Sequence, residues 1–365
     1  MRVYTITCHN VYNHGASLQE YALLHYLSLL GHDVATINYT PDYLSGHFNF
    51  FSVDNPKWRK NSITKALYVL LKFPSKLFAY SRKIKFDKFS NEYIKETQTK
   101  YKTNKDLIQD LPNADVYICG SDQIWNSLFQ NGKDPAFYLN FVPDDKKKIS
   151  YAASFAIDEI ADNLKDFVKE SVQRLDAISV RESSGKKILS NLGVKEVSHV
   201  LDPVFLLDKS KWDKMCGEKL SENYILVYDF DNNSIIKEIA FSLKRKKGWQ
   251  IIALNRNIKY ADKNYYLQGP QEFLSLIKHA KFVLANSFHA VAFSLIFKKE
   301  FYVFNRATNI NTRMRDLLAS LGIENRLLID SSFDLDNQID YEVVSFKLGK
   351  FVAKSKSFLL NSIND

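Results

Sequence analysis

The chain has 365 residues, 45% of them hydrophobic and 25% charged, which supplies apolar material for two cores and speaks against extended disorder. Its net charge of +9 is concentrated: between Lys57 and Lys105 fourteen Lys and Arg face three acids, Asp87, Glu92 and Glu96, so the remainder is close to neutral. A basic chain alone would suggest nucleic acid, but one basic amphipathic stretch at 57–105, with Trp58, Leu67, Tyr68, Leu71, Phe73 and Tyr80 interleaved, suits the outer face of a covering helix or an anionic membrane surface; no nucleic-acid partner is expected.

The opening apolar run ends by His9, short of a signal-peptide core, and the longest later one, Ala66 to Leu71, is far below the roughly 20 residues that cross a bilayer. The expectation is a cytoplasmic protein, peripheral at most to the inner face of a membrane. Cys8, Cys119 and Cys216 lie far apart with no CxxC pair, which argues against a disulfide framework or a thiolate metal site. His9, His25, His32, His47, His199 and His279 show no ligand spacing, so no metal is expected.

In chain order, Val3 to Cys8 is a β-prone run. Leu18, Ala22, Leu23, Tyr26, Leu27 and Leu30 then recur at helical spacing up to Gly31, and Val34 to Asn38 gives a second strand. Ser17 and Glu20 read as a capping box, which places Asn10 to Ala16 in the loop before the helix. Beyond the basic stretch, strands are predicted at Asp115–Cys119, Ile149–Ser154, Ala177–Val180 and Val197–Leu201, with helices at Ile160–Arg174 and Ser183–Leu192. A second series has strands at Tyr224–Tyr228, Gln250–Leu254, Lys281–Ala285 and Phe301–Phe304, and helices at Ile235–Lys246, Gln271–Lys278, Ala290–Phe297 and Thr312–Leu321. Two α/β series predict two doubly wound, Rossmann-like domains, 1–205 and 206–365, with the boundary in the interrupted stretch Asp202 to Asn223.

Ligands of open α/β sheets sit beyond the carboxyl ends of the strands, and four loops there carry unusual residues. Asn13 to Gln19 contains Gly15, which lets backbone approach a ligand, at a helix start that favours an anion; it lacks GxGxxG, so a dinucleotide is not expected. Gly120, Ser121, Asp122, Gln123 and Asn126, with Trp125, have the composition of a small polar-ligand site or of a tight turn. Arg181 leaves a strand end where it could grip a carboxylate or phosphate, or pair with Glu182 or another acid. Ser287 reads as a helix N-cap with His289 in the first turn. A phosphate at that helix end would hold a proton on the imidazole and make His289 a candidate general acid; taken alone, such a histidine is more often structural. Asp229-Phe230-Asp231 matches a short metal-binding pattern but reads better as a turn into a helix at Ser234.

Together these segments resemble the polysaccharide pyruvyl transferase family. NHGASLQEYALLHYL begins at Asn13, YICGSDQIWN at Tyr117, YAASF at Tyr151, SVRESSG at Ser179, LDPVFLL at Leu201 and SFHAVAFSLIFKKEF at Ser287, and NTRMRDLLASLGI ends at Ile323. The resemblance implies two Rossmann-like domains facing a cleft, as in GT-B glycosyltransferases, and transfer of pyruvate from phosphoenolpyruvate to two hydroxyls of a saccharide in cell-surface polysaccharide synthesis. It implies catalytic roles for Arg181 and His289. Many members have Arg where this chain has Ser287, and Arg306 and Arg313 are the substitutes expected to complete a donor site with Asn13, Gly15 and Ser287. The acceptor, lipid-linked by expectation, is assigned to Gly120, Ser121, Asp122, Gln123 and Asn126. No cofactor, metal or nucleotide is called for beyond the donor substrate. The rival readings are a GT-B nucleotide-sugar glycosyltransferase and a catalytically inactive saccharide-binding protein.

Overall fold

The computed structural model describes residues 1–45, 61–217, 220, 222–308 and 310–364, and within these all side chains except those of residues 45, 62, 63, 65, 69 and 71–79. Twelve strands among these residues form two six-stranded sheets. The first contains β1 (Arg2–Ile6), β2 (Asp33–Thr36), β3 (Val116–Cys119), β4 (Lys147–Ala153), β5 (Ala177–Val180) and β6 (Val197–His199), in the order β2-β1-β3-β4-β5-β6. The second contains β7 (Tyr224–Tyr228), β8 (Gln250–Ala253), β9 (Lys263–Asn264), β10 (Phe282–Ala285), β11 (Phe301–Phe304) and β12 (Leu327–Leu328), in the order β12-β11-β10-β7-β8-β9. Neighbouring strands are parallel in both sheets. The central strands are continuous apolar runs, and VYIC in β3 and YILVY in β7 are buried throughout, because parallel sheets are covered on both faces.

Each sheet reverses its winding once, between β1 and β3 in the first and between β7 and β10 in the second. The loops leaving those four strands are where an open parallel sheet binds ligand, and the two sets face one another. His14 helps fix that apposition. It stacks on Phe273 at 5.0 Å, donates from Nε2 to the Gln268 carbonyl at 3.0 Å and accepts at Nδ1 from the Tyr228 hydroxyl at 2.9 Å. Burial, reinforced by Arg82, holds its imidazole well below the usual histidine range, as this neutral tautomer requires.

The first helix runs His14–Leu29, earlier than the Ser17–Glu20 capping box predicts. Asn13 is its N-cap, with Oδ1 accepting from the Gly15 and Ala16 amides at 3.0 and 3.2 Å. Ser17 and Glu20 lie inside the helix, and Glu20 is drawn to buried His9 at 2.7 Å. The helix expected at Ile160–Arg174 is confined to Lys165–Gln173 behind a short turn, because Ala161 is extended. The last helix, Tyr341–Asn364, returns to the first sheet: Ser355 Oγ accepts from the Leu201 amide at 2.9 Å and Phe358 packs on Tyr151.

Much of the basic stretch lies in one long helix, Ser62–Tyr93, whose Phe86 and Phe89 are buried. Lys57, Trp58 and His47 lie outside the described residues, as do the side chains of Leu71, Phe73, Leu77 and Phe78. Several of its charges are internally engaged. Arg82 donates to the carbonyls of Tyr266 and Tyr12 at 2.6 and 3.2 Å, Lys95 pairs with Asp33 at 2.6 Å, and Lys83, Lys85 and Lys102 hold Asp87, Gln268 and Asp42. No helix of the described residues is long and apolar enough to cross a membrane.

Candidate active site

Where the four loops meet, a pocket of about 230 Å³ opens between the sheets. Asn13, Asp122, Gln123, Ser287, His289, Arg306 and Arg313 line it, joined by Phe129, Phe230, Asn286, Phe288, Ile310 and Met314. Ser287 caps the helix Phe288–Ile296 from an extended conformation without a side-chain hydrogen bond, leaving the first-turn amides at the pocket edge.

His289 is clamped from two sides. Its Nε2 lies 3.4 Å from Asp202 Oδ2. On the other side, a Cβ on Gly15 would fall within 3.0 Å of Nδ1, Cγ and Cε1 of the imidazole. The absence of a side chain at Gly15 thus makes room for the histidine ring.

Beneath the pocket lies a charge array. Arg181 pairs with Asp202 and, at 3.2 Å, with Asp122, and its guanidinium stacks over Phe288 at 4.6 Å. Arg313 reaches the same Asp122 oxygen at 3.3 Å. Burial alone would raise the Asp202 carboxyl, but His289 and Arg181 outweigh it and hold the group well below the carboxylate range. Asp122 behaves alike: burial is overcome by Arg181, His289 and Arg313. Glu182 is instead pushed up by burial, although Ser154 Oγ and the Ala156 amide donate to it at 3.0 and 2.8 Å. Arg313 is brought down to about 10 by burial and by the nearby Arg181, and its Nε has no hydrogen-bond partner among the described residues. Its guanidinium thus stands at the wall of the pocket with one carboxylate partner, Asp122, which it shares with Arg181.

Arg306 also lines the pocket, with Nε donating to Asp231 at 2.9 Å and its guanidinium over Phe230 at 4.4 Å. Asp231 also accepts from the Ala307 amide at 3.0 Å, while Asp229 accepts from the amides of Asp231 and Asn233 and from Asn286 Nδ2 at 2.7 to 2.9 Å. Both carboxylates of the Asp229-Phe230-Asp231 pattern thus serve the turn and Arg306. The described residues contain no group of three metal-ligating side chains.

Arg181 does not line the pocket; it bonds Asp122, which does, and buried Asp202, which does not. Gly120, Ser121 and Asn126 do not line the pocket either. Gly120 has a φ of 125° and a Cβ there would meet the Tyr151 carbonyl; Ser121 Oγ donates to the Ala152 carbonyl at 2.7 Å, and Asn126 Nδ2 donates to Gln123 at 2.8 Å. Trp125 is buried, stacked on Tyr138 at 5.3 Å, and its indole donates to the Phe137 carbonyl at 3.0 Å. Asp202, which neither the charge pattern nor the loop positions single out, is the residue on which His289 and Arg181 converge. Its only sequence signal is its place in LDPVFLL.

The architecture has known parallels. A UDP-GlcNAc 2-epimerase from Neisseria meningitidis, solved with UDP-GlcNAc bound, aligns over 100% of this chain and 99% of its own, at 10% identity and a TM-score of 0.50. The UDP-GlcNAc 2-epimerase of Methanocaldococcus jannaschii, solved with UDP-GlcNAc and UDP, aligns over 98% and 94%, at 13% identity and a TM-score of 0.47. Likeness at these identities concerns the fold alone, two Rossmann-like α/β units in a GT-B-like arrangement. A search of curated proteins gives no match. The model of the polysaccharide pyruvyl transferase family matches residues 13–308, from the Asn13 cap through β11 and Arg306, and the chain belongs to that family.

Proposed function

We propose that the protein transfers pyruvate from phosphoenolpyruvate to two hydroxyls of one saccharide, forming a pyruvate ketal. The observation that carries this reading is the convergence of Arg313, its Nε unpartnered among the described residues, with Arg306 and His289 on one pocket of about 230 Å³. That volume suits a small phosphorylated acid, and it falls below the roughly 300 to 1,000 Å³ of sites that enclose larger ligands. Arg313 and Arg306 take the phosphate and carboxylate of the donor, with the bare amides behind Ser287 as further donors.

His289 gives a proton to the methylene carbon, which makes C2 electrophilic. One sugar hydroxyl adds at C2 and releases its proton; the bond from C2 to the phosphate oxygen then breaks, and phosphate leaves with that proton. The second hydroxyl closes the ketal and its proton returns to His289. The two hydroxyl protons thus end on the new methyl group and on phosphate. Asp202 orients the imidazole and Asp122 orients Arg313, while Gln123 and Asp122 meet the hydroxyls that approach the donor.

A second reading, a nucleotide-sugar enzyme, is favoured by the fold shared with the Neisseria protein that was solved with UDP-GlcNAc. Thermal unfolding separates the two. A ligand at about 100 times its Kd stabilises by roughly 2.7 kcal/mol, which is about 5 °C or more for domains of this size. Phosphoenolpyruvate is expected to give such a shift and UDP-GlcNAc none. The reverse result would replace this reading with the second, and no shift with either would leave a saccharide-binding protein.

A further inference from the structure

Beside the pocket lies a second depression of about 580 Å³, bordered by Leu128, Asp158, Glu159, Asn305, Thr312 and Arg315. The two share a ridge made of adjacent residues that divide between them. Leu128 lines the groove and Phe129 the pocket; Asn305 lines the groove and Arg306 the pocket. At the helix Thr312–Leu321, Ile310, Arg313 and Met314 line the pocket, while Asn311, Thr312 and Arg315 line the groove. Within the helix, a spacing of three puts Thr312 and Arg315 on one face and leaves Arg313 and Met314 on the adjoining one, with Asn311 and Ile310 just ahead of its start. A ring lying in the groove therefore has only this ridge between its hydroxyls and whatever fills the pocket.

Thr312 is 2% exposed, and its Oγ1 has no hydrogen-bond partner among the described residues. A buried hydroxyl left unpaired is destabilising, and this one belongs to a residue that borders the groove. Asp158 and Arg315 neutralise each other at 2.6 Å, which leaves the exposed Glu159 carboxylate as the groove's net charge. Across the ridge Arg306 and Arg313 present two guanidinium groups to the pocket, against the single carboxylate of Asp122 in its lining. This polarity draws an anion to the pocket and a hydroxyl-rich neutral molecule to the groove. Leu128, 59% exposed at the rim, offers an apolar surface to the C–H face of a sugar.

We propose that this groove is the acceptor subsite and takes a neutral saccharide, its hydroxyls bound by Thr312, Asn305 and Glu159 and its ring resting on Leu128. The proposal builds on the pyruvyl-transfer reading, in which the donor occupies the smaller pocket. It is tested on the full chain with p-nitrophenyl β-galactoside, p-nitrophenyl α-mannoside and p-nitrophenyl β-glucuronide as probes, with affinities measured by titration calorimetry at saturating phosphoenolpyruvate and again without it. A neutral glycoside is expected to bind at least tenfold more tightly than the glucuronide. Thr312→Val and Glu159→Gln should each weaken it by roughly three- to tenfold, the loss of one hydrogen bond, with phosphoenolpyruvate affinity unchanged and the Thr312→Val melting temperature not lowered. Preference for the glucuronide, insensitivity to both substitutions, or no glycoside binding by protein that binds phosphoenolpyruvate would each overturn the subsite. If phosphoenolpyruvate does not bind but a neutral glycoside binds and responds to both substitutions, the pyruvyl-transfer reading falls and the groove stands as a saccharide site.

Discussion

Replacing Gly15 with alanine should damage catalysis far more than folding. The new Cβ would fall within 3.0 Å of Nδ1, Cγ and Cε1 of His289. Because Cγ sits at the root of the imidazole, swinging the ring tip does not relieve the clash; the ring must leave its rotamer or the two units must separate. Overpacking of this kind costs about 1 to 3 kcal/mol, and alanine returns up to about 1 kcal/mol as a better helix former than glycine. The net loss is small against the roughly 5 to 15 kcal/mol that holds a typical domain, so the variant should fold, with a melting temperature lower by several degrees at most. A displacement of about 1 Å between His289 and the methylene carbon costs on the order of 100-fold in rate. Phosphate release from phosphoenolpyruvate, with pooled galactosides and mannosides as acceptors, reads the rate alongside the melting curve. The double variant Gly15→Ala with His289→Ala should recover the melting temperature, since the colliding ring is gone. Wild-type turnover by folded Gly15→Ala would refute both the clamp and the role given to His289.

His289→Ala alone should abolish phosphate release while phosphoenolpyruvate still raises the melting temperature; appreciable turnover in the folded variant would remove His289 as the acid. Arg181→Ala leaves Asp202 and Asp122 buried without their shared cation, and should cost about 3 to 5 kcal/mol in urea unfolding; a loss below about 1 kcal/mol would contradict a buried charge array centred on Arg181. His9 provides a pH signature. Burial opposes its charge, but Glu20 and Glu96, at 2.7 and 2.9 Å, prevail and raise it to about 9 from 6.5. Because the folded value is the higher, this stabilisation is complete below about pH 6.5 and is lost as pH rises through about 9. It amounts to about 3 kcal/mol, and His9→Gln should flatten that decline in urea titrations at pH 6.5 and 9.5. For the basic stretch at 57–105 we propose peripheral attachment to anionic lipid, so co-sedimentation with anionic vesicles should weaken at high salt, and equal binding to neutral vesicles would dismiss it.

The strands Ala177–Val180, Tyr224–Tyr228 and Phe301–Phe304 and the helix Thr312–Leu321 have the bounds their sequence patterns predict. Central parallel strands read as uninterrupted apolar runs, and Gly322 stops its helix in a left-handed conformation. β9 and β12 escape because two residues carry no periodicity. Within the candidate site, sequence located the loops but not the direction of each side chain. Trp125 has the composition of a sugar platform, yet it faces inward onto Tyr138. Arg181 stands at a strand end, but the acids that engage it lie 21 and 59 residues away, too far for local reading to choose between ligand and ion pair.

The same long-range character explains why the site depends on how the two units are docked. Gly15 from the first unit shapes the place of His289 from the second, and Asp122 beyond β3 shares one carboxylate between Arg181 and Arg313 of opposite units. Asp202, in the passage from β6 to β7, ties Arg181 to His289. Neither unit alone holds an oriented histidine together with a balanced set of cations. Electrostatic preorganisation is effective only while donors and dipoles stay fixed, and neutral contacts across the junction, among them His14 stacked on Phe273, restrain the two sets of loops that carry the charges. A histidine kept neutral by burial is suited to that place, because it adds two hydrogen bonds across the junction without adding charge beside the buried array of Arg181, Arg313, Asp122 and Asp202.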